Sequence, residues 1–222
     1  MPTTSTRLHR LIAGLALVSL TACGGGAGLA NLTDGLGAGL SRTPPKSVDV
    51  ARGAVTVSGP QGYCVDRAGS RLRAETPFVL LGACASIARD RSAGRPLQQG
   101  LLTVAVSPPD GGPGFAATLP QLETFLSSPA GRAALARDGL DTSVEVLETR
   151  REGEALLIRL RDTSATALPG TEATYWRGLF EVNGHLVTAS VMSFANQPMA
   201  PDLAVATLRG VIAETRRASV AG

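Results

Sequence analysis

Nucleophilic catalysis by a thiol needs a cysteine beside a histidine, because the histidine lowers the pKa of the thiol. The sequence offers Cys64 and His185 for such a pair. The residues around Cys64 match no cysteine-peptidase motif, so this interpretation is the less favoured one. Cys64 and Cys84 instead make an even pair, which outside a reducing cytosol is most simply a disulfide. A bridge closing a loop of about 20 residues stabilises a fold by roughly 3 kcal/mol.

Other catalytic patterns are weaker still. The Gly-x-Ser-x-Gly elbow of serine hydrolases does not occur in the sequence. Ser107 stands before Pro108 and Asp110, but a Pro-Pro-Asp-Gly run is better explained as turn chemistry. The glycines of segment 111–114 lack the Lys-Ser/Thr of a phosphate loop. We therefore predict no catalytic residue and no cofactor.

Acidic side chains and histidine could also hold a metal or act in pairs on a glycan. Four glutamates between residues 145 and 154 alternate with arginines of the same region, which is typical of charge pairing on the wet face of a hairpin. A metal site needs several ligands that converge. Once the leader is removed, His185 is the only histidine, and beside Asn183 we expect it to be a solvated residue at a strand end. The sequence predicts no metal site.

The first 22 residues have the three parts of a secretory signal peptide. Arg7 and Arg10 form a basic head, residues 11–20 are apolar, and small residues follow. The apolar stretch is well short of the roughly 20 residues that span a bilayer. We expect residues 1–22 to be removed, which also takes two arginines and lowers the formal net charge from +3 to +1. A nearly neutral chain lacks the basic excess of nucleic-acid binding, so we predict no such partner.

The end of this leader, Leu20-Thr21-Ala22-Cys23, resembles the lipobox of bacterial lipoproteins at all four positions. The resemblance implies cleavage before Cys23, a diacylglycerol on its thiol and acylation of the new amino group. Two or more acyl chains anchor a protein durably to a membrane. In that family an Asp after the cysteine favours the inner membrane, whereas Gly24 stands here and implies the outer membrane, with the domain facing the periplasm. The alternative is an ordinary secretory peptide in which Cys23 is incidental.

The composition changes again before residue 48. Residues 23–47 are rich in Gly, Ala, Ser and Thr and end in Thr43-Pro44-Pro45-Lys46, and we expect a flexible tether with a reach of roughly 25 to 30 Å. A leucine stripe through residues 29–40 could instead lie on the membrane as a helix, but each of its glycines weakens that helix by about 1 kcal/mol. Residues 48–222 contain no further linker, which predicts a single domain.

The domain favours strands, then two helices, then strands and a last helix. Apolar runs at 55–58, 77–84 and 101–106 indicate strands. Thr118 and Gln121 predict a capping box for a helical pair over about 119–137, in which Ser128 before Pro129 begins the second helix. Alternating residues near 144–146 and 156–160 indicate two strands, and residues 202–217 form an amphipathic helix.

The clearest local signal is Val182-Asn183-Gly184-His185, because Asn-Gly is the preferred pair of a two-residue type I′ hairpin. This turn predicts a register in which Val182 faces His185 and Trp176 faces Val191 on the core side. The other side, with Arg177 among its members, is expected to meet mostly solvent. The predicted fold class is α+β, with a largely antiparallel sheet, a C-terminal meander, helices packed on the sheet and one disulfide.

The chain has a lipobox-like sequence and no catalytic pattern. This combination favours a membrane-anchored periplasmic lipoprotein with a non-enzymatic protein-binding or envelope accessory domain. Its expected partners are the membrane and an envelope protein. One alternative is a carrier or sensor of a small apolar ligand, held between helix and sheet near the aromatic residues Tyr63, Tyr175 and Trp176. The other is a cell-envelope hydrolase that uses Cys64, or His185 with Asp66 or Glu181.

Overall fold

The computed structural model describes residues 43–109, 111–112, 114–164 and 168–220. The predicted leader, Cys23 and the tether up to residue 42 lie outside the described residues. Three 3-10 turns, Ala51–Gly53, Arg91–Ala93 and Asp141–Ser143, join longer elements. These elements are, in chain order, β1 (Ser47–Val50), β2 (Val55–Ser58), β3 (Tyr63–Arg71), β4 (Phe78–Ala83), α1 (Cys84–Ala88), β5 (Gly100–Val106), α2 (Phe115–Ser127), α3 (Pro129–Leu135), β6 (Val144–Glu152), β7 (Ala155–Asp162), β8 (Thr174–Val182), β9 (His185–Ser193) and α4 (Pro201–Val220).

Seven strands form one antiparallel sheet in the order β3-β4-β5-β9-β8-β7-β6, and β1 pairs with β2 in a separate hairpin. The last four strands follow one another as neighbours, which confirms the predicted meander. Both edge strands are irregular: the register shifts between Asp66 and Arg71 in β3, and between Val146 and Glu148 in β6. The α+β class is confirmed.

The β8–β9 hairpin has the register that its turn predicts. Val182 pairs with His185 and Trp176 pairs with Val191. Asn183 and Gly184 both take the left-handed conformation, with φ of 49° and 75°, as a type I′ turn requires. The turn alone therefore determines which side chains of both strands share a face.

Two apolar clusters cover the two faces of the sheet. On one face α4 packs Leu208 and Val211 against β8, β9 and the β1–β2 hairpin. On the other face α2 and α3 cover a second cluster that includes Tyr175 and Leu179. The expectation that this second face meets mostly solvent is wrong, because the helical pair lies over it.

The helical pair differs from its prediction at its first turn. Helix α2 begins at Phe115 after Gly114, and Thr118 lies inside it with its hydroxyl donating to the Phe115 carbonyl at 2.8 Å. The predicted capping box at Thr118 is therefore wrong. Helix α3 begins as predicted, since the Ser128 hydroxyl accepts a hydrogen bond from the N–H of Gly131 at 3.1 Å.

The predicted disulfide is present. Cys64 in β3 is bonded to Cys84 at the start of α1. Just before β1, the carbonyl of Pro45 accepts a 2.7 Å hydrogen bond from the N–H of Val65. The chain is therefore already held against edge strand β3 within the last residues of the predicted tether.

Candidate functional site

A cleft of about 880 Å³ lies where four connections of the fold meet, and we call it the His185 cleft. The β1–β2 turn, the β3–β4 connection, the segment after β5 and the start of β9 contribute to it. Its volume lies in the range of ligand-binding clefts. Its apolar lining comes from Leu72, Pro77, Val106, Pro108 and Pro109.

His185 is the most constrained polar side chain of this cleft. It is only 9% exposed, and its Nδ1 lies 2.8 Å from the carbonyl oxygen of Ser107. Because a carbonyl only accepts, Nδ1 is the nitrogen that donates in this contact. The N–H of Ser107 in turn donates to the carbonyl of Leu186 at 2.9 Å. The prediction of a solvated strand-end histidine is wrong, because its pairing with Val182 turns this side chain toward the covered face.

The backbone on one side of the cleft is strained. Ala51 and Arg52 have φ of 51° and 58°, in the left-handed region that residues with a Cβ rarely adopt. Each such residue costs on the order of 1–3 kcal/mol and persists only where neighbours hold it, often at binding sites. The side-chain amide of Asn183 donates to the carbonyl of Ala54 at 2.9 Å, which ties this turn to the β8–β9 hairpin.

Four exposed charged side chains also line the cleft. Two are cationic, Arg52 and Arg73, and two are anionic, Asp49 and Glu75. Asp49 is held by a 2.7 Å hydrogen bond from the hydroxyl of Thr56. The cleft thus combines apolar side chains with charged side chains of both signs, a composition found in protein–protein interfaces.

The residues that the hydrolase alternative needs do not come together. The Cys64 thiol is consumed by its bond to Cys84. Asp66 accepts hydrogen bonds from two backbone N–H groups of its own strand. Glu181 accepts from the N–H of Phe115 at 2.6 Å, on the face of the sheet opposite to His185. Neither carboxylate therefore orients the His185 ring.

A second cleft, of about 300 Å³, lies beside the start of α4, and we call it the Arg159 cleft. Tyr175 and Trp176 line this cleft. They are two of the three aromatic residues named above for a pocket between helix and sheet. Tyr63 lies elsewhere, and its hydroxyl donates to the carbonyl of Gln98 at 3.1 Å. Burial raises the pKa of Tyr63 to about 12.

A buried polar cluster joins the end of α3 to the sheet. The Asp162 side chain is 1% exposed, and its carboxylate lies 3.7 Å from the Nε of Arg137. The Tyr175 hydroxyl donates to the same carboxylate and accepts from Arg177 at 2.7 Å, and burial raises the pKa of Tyr175. Arg177 also donates to the carbonyl of Leu135, so this cluster holds the helical pair in place.

Within residues 43–220, apart from the gaps named above, no three His, Cys, Asp or Glu side chains are grouped so that they could hold a metal ion. Among the helices of the same ranges none is long and apolar enough to cross a membrane.

Comparison with family models, with curated proteins and with solved structures finds no match for this chain.

Proposed function

We propose that this protein is a membrane-anchored periplasmic lipoprotein whose domain binds a segment of an envelope protein in the His185 cleft. The Leu20-Thr21-Ala22-Cys23 sequence supports the anchor, through acyl chains on Cys23 in the outer membrane. The residues between Cys23 and Thr43 then act as the tether. A protein held in this way searches for its partner along the membrane surface.

The observation that carries the binding role is the composition of the His185 cleft. Apolar residues such as Leu72 and Pro108 line the cleft together with two cationic and two anionic side chains. A carrier of a small apolar ligand needs an apolar cavity closed to water, whereas this cleft opens to solvent between charged side chains. A peptide segment with apolar and charged residues matches both parts.

The fixed geometry of the cleft also favours binding. His185 is held by Ser107, and the strained Ala51–Arg52 turn is tied to Asn183. A site that is already ordered loses little conformational entropy when it binds. The cleft therefore needs no large rearrangement to receive an extended segment.

The anchor is tested by metabolic labelling with palmitate in living cells. The wild-type protein should incorporate the label and fractionate with the outer membrane, and the Cys23→Ser variant should do neither. A mature protein that begins at another residue, or a Cys23→Ser variant that is still labelled, would contradict the anchor.

Binding in the His185 cleft is tested by placing a photo-crosslinking amino acid at position 73, which lines the cleft. A matched control carries the same residue at position 161, which is also an exposed arginine but lies on β7 outside the cleft. We expect a discrete protein adduct from position 73 alone, and a lower yield when Glu75→Arg reverses a charge of the cleft lining. The same adduct from both positions, or none from position 73, would argue against binding in this cleft.

A further inference from the structure

The Arg159 cleft contains a cation without a counterion. Arg159 of β7 is partly buried and pairs through its backbone with Trp176, but its guanidinium has no hydrogen-bond or ion-pair partner among the described residues. Arg150 and Arg151 of the neighbouring strand are paired, with Glu148 and Glu123. A guanidinium that has lost part of its hydration shell preferentially binds a carboxylate or phosphate group.

The same cleft contains an unpaired anion. The carboxylate of Glu172 also lines it and has no ion-pair or hydrogen-bond partner among the described residues, although its backbone N–H donates to the Ser193 carbonyl at 2.9 Å. Arg159 and Glu172 do not lie within ion-pair distance of each other. The cleft therefore presents one charge of each sign, and both charges lack a partner.

Trp176 adds a third unsatisfied group. The side chain is 4% exposed, and its indole Nε1 is buried without a hydrogen-bond acceptor in the described structure. A buried donor without an acceptor costs about 1–3 kcal/mol, and such groups are explained in native proteins by a missing water or ligand. The ring is held in place by the Arg150 guanidinium, 5.0 Å from its centre.

We propose that the Arg159 cleft binds a small zwitterion. Arg159 and the indole N–H of Trp176 donate to its anionic oxygens, Glu172 pairs with its ammonium group, and Met199 contacts its apolar part. The volume of about 300 Å³ suits a molecule of amino-acid size. A ligand that bears only one charge would leave the other side chain of the cleft without a partner. A free amino acid and the phosphoethanolamine group of a lipid share this chemistry.

Binding is measured through the fluorescence of Trp176, the only tryptophan in the chain, on the full-length protein in detergent. The probes are L-valine and glycerophosphoethanolamine, which distinguish the two sources of the ligand. L-valinamide, which lacks the carboxylate, and N-acetyl-L-valine, which lacks the ammonium group, are the matched single-charge probes. At least one of the two zwitterions should bind. Its single-charge probes should bind about tenfold more weakly, or weaker still. For glycerophosphoethanolamine, glycerol 3-phosphate serves as the single-charge probe.

The variants are Arg159→Gln and Glu172→Gln, each checked for an unchanged circular dichroism spectrum and melting temperature. Each should weaken binding of the zwitterion about tenfold or more, whereas Arg161→Gln on the same strand should leave it unchanged. The proposal is overturned if no zwitterion binds at millimolar concentration, if single-charge probes bind equally well, or if the two variants bind like wild type. None of these outcomes bears on the His185 cleft.

Discussion

The carboxylate of Glu181 in β8 accepts a 2.6 Å hydrogen bond from the backbone N–H of Phe115, the first residue of α2. A helix begins with N–H groups that have no partner within it, and a negative charge at that end also interacts favourably with the helix dipole. Gly114, which precedes the helix, has no side chain to supply this bond. The sheet therefore caps the helix that covers it.

Replacing Glu181 with Ala should lower the free energy of unfolding by about 1–2 kcal/mol, because α2 loses both an acceptor and a charge at its start. Glu181→Gln should recover part of the loss, since its amide oxygen still accepts a hydrogen bond. Urea unfolding measures both variants. Glu145→Ala is the control, at an exposed glutamate that has no partner among the residues the structure describes, and an equal effect there would contradict the capping role.

Removing the disulfide with Cys64→Ala and Cys84→Ala should destabilise the domain by about 3 kcal/mol, because the unfolded chain regains the freedom of the closed loop. The bridge joins β3 to the chain just after β4, so the edge of the sheet should open first. Hydrogen exchange of β3 and urea unfolding check this prediction. A double variant as stable as the wild type under oxidising conditions would contradict it.

Tyr63 should make the domain sensitive to alkali. Its pKa is raised to about 12 by burial, whereas an unfolded tyrosine ionises near 10, so the unfolded state releases its proton first as the pH rises. The neutral phenol makes its full contribution to the free energy of unfolding below pH 10. About 3 kcal/mol of that contribution is lost between pH 10 and 12. The measurement is urea unfolding across this range.

Tyr63→Phe is the matched variant for that measurement. It should cost about 1 kcal/mol at neutral pH, because the hydrogen bond to the Gln98 carbonyl is lost. Its stability should then fall less steeply than that of the wild type between pH 10 and 12. The second tyrosine, Tyr175, is present in both proteins and cancels in the comparison. If the stabilities of the wild type and of Tyr63→Phe fall equally steeply with pH, ionisation of Tyr63 is not the cause of the alkali sensitivity.

Leu208→Ala should lower the free energy of unfolding by about 2–5 kcal/mol, because this fully buried side chain of α4 packs on the central strands. Gly178 of β8 lies beneath it, where an added Cβ would come within 3.2 Å of the Leu208 side chain. Leu97→Ala, at a leucine that is 93% exposed, is the control and should change stability by less than about 0.5 kcal/mol.

The sequence predicts best those features that depend on near neighbours. Asn183 and Gly184 determine the β8–β9 register by their own backbone preferences, and Ser128 before Pro129 is enough to place the start of α3. The pair Cys64 and Cys84 predicts its disulfide because no other cysteine remains once Cys23 is assigned to the predicted lipid anchor. Each of these predictions needs little information from the rest of the fold.

The predictions that are wrong concern partners far away in the chain. The polar residues of the face that carries Glu181 and Arg177 indicate solvent, yet these two side chains bond the start of α2 and the end of α3. His185 follows a turn, and nothing near it reveals that Ser107 holds its ring. In the same way, Arg159 belongs to an alternating run of charges, and only the assembled sheet shows that its guanidinium has no partner within the described part of the chain.

The interruptions of β3 and β6 affect how neighbouring copies of the protein behave. A regular outer strand offers its free N–H and C=O groups to another chain, and sheets then grow by addition of strands. Here Leu147 lies in the irregular part of one outer strand, and residues between Asp66 and Arg71 break the pairing along the other. These irregularities disfavour the growth of a common ladder between two domains brought together edge to edge.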